Sequence, residues 1–409
     1  MKQKRILLSA YQCAPGQGSV SQIGWEWYSR LAKRGKVTLV THVRNRPFLE
    51  AAGAPLDGSE VIYIDTEWFA RPLYSLSRRL FPRSEHSVFL FSSLDFYVFD
   101  NEALRQLRPR HKEWDLVHVV TPVSPSAHSR LSKLGLPVLR GPLNGGLRTP
   151  HNFPEFMNAD SAWLYSIRDL AKPLPSILGA KRPARTLSAN RSTDAALSRN
   201  ERDFILRMPE IAVDPNTYRP SPWPEVPSQN NPLKILFVGR LIPAKALPLL
   251  FDAMHGLLAE LTVIGDGPMR KDWEAQAQSR SLNVRFLGAC DPARIESELA
   301  RAHVFCLPSV RESGGAVLLE AMSAARPVIA VNYGGPAELV TEAVGRLVDS
   351  NNPASVSNGI AIALKEIVAN PDPWRQKGLT GRRYILEQHS WDRRIDVGLS
   401  LYSTLLEAA

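Results

Sequence analysis

Short apolar runs alternate with longer stretches of helical periodicity along most of the chain. In the first half the runs are Arg5–Ala10 (RILLSA), Lys36–Val40 (KVTLV), Glu60–Ile64 (EVIYI), Leu116–Val120 (LVHVV) and Val138–Arg140, with a helical pattern over Ile23–Lys33. Such runs suit strands buried on both faces, and the helices between them supply the crossovers of a parallel sheet. The pattern breaks over 209–232, where Pro209, Pro215, Pro220, Pro222, Pro224, Pro227 and Pro232 read as an extended linker. It restarts with Lys234–Gly239 (KILFVG), Glu260–Gly265 (ELTVIG), Val284–Gly288 (VRFLG), Val304–Pro308 (VFCLP) and Pro327–Val331 (PVIAV). The fold class is therefore α/β with two doubly wound parallel sheets: a first domain over 1–215, a linker over 216–231 and a second domain over 232–391. Ligands of such sheets bind outside the carboxyl ends of the strands, so the expected site is the cleft between the domains.

Bulk composition narrows the class. The chain has 409 residues, 44% hydrophobic and 22% charged, which suits two packed domains and excludes a disordered chain. Cys13, Cys290 and Cys306 are few, odd in number and far apart, so neither a disulfide framework nor a zinc site is expected. Ile6-Leu7-Leu8 is too short for the apolar core of a signal peptide, and no apolar stretch is long enough to span a membrane. The expected location is cytoplasmic. The formal charge of +10 is confined to residues 1–230, while 231–409 balance. A basic first half is drawn to anionic surfaces or serves solubility alone. Nucleic acid is not an expected partner, because no reader motif accompanies the charge.

The segment Arg311–Met322 (RESGGAVLLEAM) carries the most specific pattern. Gly314 and Gly315 allow a ligand close to the backbone, and the helix starting there offers unpaired N–H groups to an anion. Glu312 at the loop mouth can accept hydrogen bonds from sugar hydroxyls. Glu320, a turn and a half into the helix, suits the hydroxyls of a ribose. Gly239-Arg240 closes the KILFVG strand and Lys245 follows, two cations suited to a diphosphate leaving group.

These residues resemble those of a retaining glycosyltransferase of the GT-B fold, family 4. The likeness is dense over 232–350: Gly239, Arg240 and Lys245; Gly265-Asp266-Gly267-Pro268; Phe286-Leu287-Gly288; Pro308 and the following Glu312 and Glu320; and Tyr333-Gly334-Gly335-Pro336-Ala337-Glu338. It is looser at Ala14–Trp27, Leu139–Thr149, Val213-Asp214 and after Ser390-Trp391. The resemblance implies that Arg240 and Lys245 bind the donor pyrophosphate. It puts Glu312 and the Gly314-Gly315 backbone on the donor sugar and Glu320 on the ribose, and loops near Gly288 and Pro308 on the base. It also implies no metal or other cofactor, and a last helix, 392–409, that packs back on the first domain. Departures are Val20 after Ser19, Leu143 and Asn144 where a His is common, Ala246 where a Gly is common, and Gly314 where a Phe is common.

The first domain adds a glycine turn, Gly16 and Gly18, expected at the donor phosphates or the reacting carbon, with a plain strand–helix turn as the competing reading. Asn144 and His118 are the candidates for the acceptor side; a satisfied core histidine is the competing reading of His118. Phe69–Phe81 (FARPLYSLSRRLF) sets Phe69, Leu73, Leu76 and Leu80 on one face with Arg71 and Arg78 opposite. It reads either as an interfacial helix on an anionic membrane, at the inner face of the cell membrane, or as a helix packed inward. The expected function is transfer of a sugar from an NDP-sugar to a glycan or lipid-linked acceptor in cell-surface polysaccharide assembly. A nucleotide-sugar hydrolase or epimerase, or a catalytically weakened sugar-nucleotide-binding protein, stays open as the alternative.

Overall fold

The computed structural model describes residues 4–72, 85–147, 152–155, 182–228 and 230–408. The chain forms two compact units, one of Met1–Gly146, Trp163–Glu210 and Ile395–Ala409, the other of Leu147–Ala162 and Ile211–Arg394.

The first unit is built on seven strands: β1 (Arg5–Ala10), β2 (Lys36–His42), β3 (Glu60–Ile64), β4 (Leu116–Thr121), β5 (Val138–Leu143), β6 (Arg185–Ser188) and β7 (Ile205–Arg207). They lie in the order β3-β2-β1-β4-β5-β6-β7, and every neighbouring pair is parallel. All six positions of β4 and of β5 are buried, which is why these runs are largely apolar rather than alternating, with His118 and Arg140 among the buried polar exceptions. The chain runs outward from β1 to β3, then returns to the other side of β1 and runs outward again. That reversal makes β1 and β4 neighbours at a topological switch point. The helix Ser19–Ala32 buries Ile23, Trp27, Tyr28 and Leu31, one face at helical spacing. Phe96, Phe99, Ala103 and Leu107 of the helix Glu85–Leu107 pack with Val117, Val119 and Val138 in one core.

The second unit repeats the plan with six strands: β8 (Leu233–Val238), β9 (Ala259–Ile264), β10 (Val284–Gly288), β11 (Val304–Leu307), β12 (Val328–Val331) and β13 (Gly345–Val348). Their order is β10-β9-β8-β11-β12-β13, again parallel throughout. Here the switch point falls between β8 and β11.

The proline-rich stretch is not a free tether. It groups with the second unit and is strapped to it. Arg326, 1% exposed, donates from Nε to Leu299 O (2.7 Å) and from Nη2 to Ser221 Oγ (2.5 Å), Pro222 O (3.0 Å) and Ala300 O (3.1 Å). Trp223 Nε1 donates to His303 O at 3.1 Å. His303 accepts from Lys234 N at Nδ1 (2.9 Å), so its Nε2–H donates to Glu225 O (2.8 Å). Prolines supply no N–H, so the carbonyls of this segment are met by side chains instead.

Of the basic amphipathic stretch at 69–81, residues 73–81 lie outside the described residues. The described part is helical over 67–72, where Arg71 is exposed and pairs with Glu67 at 2.9 Å. Among the described residues no helix is long and apolar enough to cross a membrane. The three cysteines are free, Cys13 and Cys306 being buried.

Candidate functional site

The carboxyl ends of β8 and β11 meet at the second switch point, and their loops are stitched together. After β8, Gly239 N donates to Ile264 O (2.9 Å) and Leu241 N to Asp266 O (2.9 Å). The chain then makes a tight turn over Pro243–Lys245. Ala246, standing where a glycine is common, has φ 48°, in the left-handed region that favours glycine. After β11 come Pro308 and Ser309, both buried, and Val310 N donates to Ala244 O at 3.1 Å. This bond brings the two loops into register, and Lys245 Nζ forms an ion pair with Glu312 Oε2. The two side chains are 16% and 15% exposed, so the pair is largely withdrawn from water. The Lys245 stem runs past Gly239: a Cβ there would stand 3.5 Å from Lys245 Cε and 3.3 Å from the Phe237 ring. Arg240 is exposed at the end of the same strand.

A second glycine-rich loop closes on the first. A Cβ at Gly334 would lie 2.2 Å from Glu312 O, and one at Gly335 2.5 Å from both Ser313 O and Gly314 O. Gly335 N donates to Glu312 O at 2.9 Å. Only glycine permits this approach, so Gly334 and Gly335 hold the backbone that carries Glu312. Gly315, φ 85°, is the left-handed residue from which the helix Ala316–Ser323 starts. On the β9–β10 side, buried Gly288 accepts from Gly265 N at 2.7 Å.

Glu320 lies in the second turn of that helix. The residue is half-buried, and desolvation of its carboxyl pushes the pKa up to about 7, opposed by a hydrogen bond from the Tyr218 hydroxyl. Tyr218 is a residue that sequence reasoning missed, because it stands among prolines in a stretch that reads as linker. Its carbonyl accepts from Ser323 Oγ (2.9 Å) and from Arg382 Nη1 (3.2 Å).

The expected site residues thus fall into two groups. Gly239, Arg240, Lys245, Gly288, Pro308, Glu312, Gly314, Gly315 and Glu320 all belong to the second unit. Bonded contacts tie Lys245 directly to Glu312, and Glu320 rises on the helix that follows. Gly16, Gly18, His118 and Asn144 belong to the first unit. Gly16 (φ 71°) and Gly18 (φ 85°) lie in an exposed turn, with Gly16 N donating to Gln22 Oε1 at 2.9 Å.

His118 is not an acceptor-side group. It is fully buried, Nε2 meets Gly141 O at 2.7 Å and so carries the proton, and Nδ1 accepts from Tyr402 OH at 2.7 Å. Burial pushes its pKa down to about 4. The edge of Trp27 completes its cage, with ring centroids 4.7 Å apart. Asn144 is likewise engaged at both ends of its amide. Nδ2 donates to Glu210 and Oδ1 accepts from Asn190 Nδ2 (3.1 Å), so it serves the loop rather than presenting a free donor.

The second-unit arrangement sets a half-buried ammonium and carboxylate and an exposed guanidinium at adjacent strand ends. As it stands Glu312 neutralises Lys245. An anionic oxygen arriving there competes with Glu312 for the ammonium and frees the carboxylate for hydroxyl groups. Among the described residues no group of three or more His, Cys, Asp or Glu side chains is placed to hold a metal ion.

Residues 223–377 match the family of glycosyl transferases group 1. The chain is 29% identical to the O-antigen chain mannosyltransferase C of Escherichia coli over 48% of its own length and 52% of that protein. It spans about half the length of the curated relatives it matches. Among solved structures it resembles the sucrose-phosphate synthase of Thermosynechococcus elongatus (TM-score 0.63, 18% identity, 99% of this chain and 100% of that one). It also resembles the Anabaena protein HepE solved with UDP (TM-score 0.62, 15% identity, 98% and 100%). The two parallel sheets are those of the GT-B fold, and the match to the glycosyl transferases group 1 family lies within the second unit, over residues 223–377.

Proposed function

We propose that the second unit binds an NDP-sugar and that the protein transfers the sugar, with retention of anomeric configuration, to a glycan or lipid-linked acceptor. The observation that carries this reading is the Lys245–Glu312 pair at the abutting ends of β8 and β11. Arg240 and Lys245 take the pyrophosphate. Glu312, released from Lys245, takes hydroxyls of the sugar, with the Gly314-Gly315 backbone beside it, and Glu320 takes the ribose. Loops at Gly239, Gly288 and Pro308 flank the nucleotide. As the bond from the anomeric carbon to the β-phosphate oxygen breaks, negative charge grows on that oxygen. The two cations stabilise it, which is the role a divalent metal plays elsewhere. The acceptor oxygen bonds to the anomeric carbon on the face the phosphate leaves, and its proton passes to the departing phosphate.

A role in cell-surface polysaccharide assembly is supported by the O-antigen mannosyltransferase among the relatives, which are matched over part of their length. The positive charge confined to residues 1–230 suits an anionic surface, in keeping with a cytoplasmic protein at the inner face of the membrane. The rival reaction is hydrolysis of the donor, which differs in releasing nucleotide at the same rate with or without acceptor. The direct test of the donor reading is a thermal-shift panel of nucleoside diphosphates and NDP-sugars. One base is expected to raise the melting temperature by several degrees at about 100 times Kd. A flat response across the panel overturns the proposal.

A further inference from the structure

Tyr218 precedes the dense run of motifs over 232–350, yet its hydroxyl reaches Glu320 on the helix Ala316–Ser323. Several elements converge to hold it there. Asp214 opens a tight turn, with Oδ1 accepting from Asn216 N (2.9 Å) and its carbonyl from Thr217 N (3.1 Å). The next residue, Tyr218, is 7% exposed. Its carbonyl is pinned by Ser323 Oγ at the end of the Glu320 helix. Arg382, from the helix Pro371–Tyr384, then ties the same pieces together. Its Nη1 donates to Pro215 O (3.1 Å), Tyr218 O (3.2 Å) and Ser323 O (2.8 Å). The Tyr218 backbone and the Glu320 helix are thus clamped by a shared set of bonds, and the phenol has one polar atom left to place. That atom lies beside the Glu320 carboxylate.

We propose that Tyr218 is a positioning residue for the donor nucleotide: its hydroxyl fixes one lone pair of Glu320 so that the remaining carboxylate oxygen faces the ribose hydroxyls. The inference rests on the reading of Glu320 as the ribose-binding residue and adds a specific partner to it. A half-buried carboxylate with no second-side donor is free to rotate or to hold a proton. A donor from behind favours the charged, acceptor-only form and one orientation. The tyrosine ring fills the same space with or without its hydroxyl, so packing and positioning are separable.

The test uses the full chain and calorimetric titration with UDP, ADP and GDP, then the 2′,3′-dideoxy form of whichever binds tightest. Tyr218→Phe is expected to weaken the ribonucleotide by about tenfold and to leave the dideoxy form unchanged. Glu320→Gln is expected to weaken the ribonucleotide at least as much, and the double variant no more than Glu320→Gln alone. Equal loss for both nucleotide forms in Tyr218→Phe assigns the tyrosine a purely structural role and overturns the proposal. So does unchanged affinity in Tyr218→Phe while Glu320→Gln still weakens binding. If Glu320→Gln is itself without effect, the ribose reading of Glu320 has failed, and the role of Tyr218 falls with it.

Discussion

The two units share a plan and use their switch points differently. Where β8 and β11 meet, charged groups stand at the strand ends and the backbone is cleared around them by Gly239, Gly334 and Gly335. Where β1 and β4 meet, the polar groups are spent on the fold. The Tyr11 hydroxyl donates to Asp95 (2.5 Å), Arg44 also pairs with Asp95 (2.9 Å), and Thr121 Oγ1 donates to Gln12 O (2.9 Å). His118 on β4 is closed off by Gly141 and Tyr402. The same architecture therefore yields one set of groups that a ligand can recruit and another that ligands cannot displace without dismantling the core. A titratable residue in a strand informs about function only when its partners are known.

That contrast predicts its largest effect at Glu312. Glu312→Gln keeps the shape of the side chain and removes its charge, and transfer is expected to lose about 3 kcal/mol or more of transition-state stabilisation. Steady-state turnover of the donor identified by thermal shift checks this, and near-normal kcat/KM contradicts it.

A smaller effect, in stability rather than rate, is expected at His118. The folded protein holds the imidazole neutral, with its pKa pushed down to about 4. The unfolded chain takes up a proton near pH 6.5. His118 therefore stabilises fully above about pH 6.5, and that contribution is lost as pH falls toward 4. Between pH 7 and pH 4.5 it amounts to roughly 2–3 kcal/mol. Urea unfolding at the two pH values reads the difference, and His118→Gln is expected to flatten it. A slope unchanged in the variant would assign the pH dependence to other groups and weaken the contrast between the units.

Much of the fold was legible in the residues, for a physical reason. Strands buried on both faces leave apolar runs such as KILFVG and LVHVV, and the glycine or proline that ends a run marks the strand's carboxyl end. The strands that escaped, β6 (RTLS), β7 (ILR) and β13 (GRLV), are three or four residues long and mix polar with apolar positions. Pairing to a neighbour makes them strands, and no local signal announces it. The residues expected on the donor side are spaced locally: Gly239 to Lys245 is one strand-to-helix turn, and Glu312 to Glu320 is one loop and helix.

What could not be read depends on contacts between distant positions. His118 finds Tyr402 across 284 residues, which turns a candidate ligand into a core group. Arg326 finds Ser221 across 105, which turns a supposed linker into part of the second unit. Tyr218 meets Glu320 in the same way, and a tyrosine among prolines carries no sign of it.

The central claim is that the ends of β8 and β11 form a diphosphate site, with Lys245 its half-buried cation. Calorimetric titration of the tightest-binding nucleoside diphosphate into the wild-type protein and Lys245→Ala tests it most directly. The account predicts affinity at least tenfold weaker in the variant, from loss of one charge-assisted bond to phosphate. Equal affinity in the two proteins would contradict it.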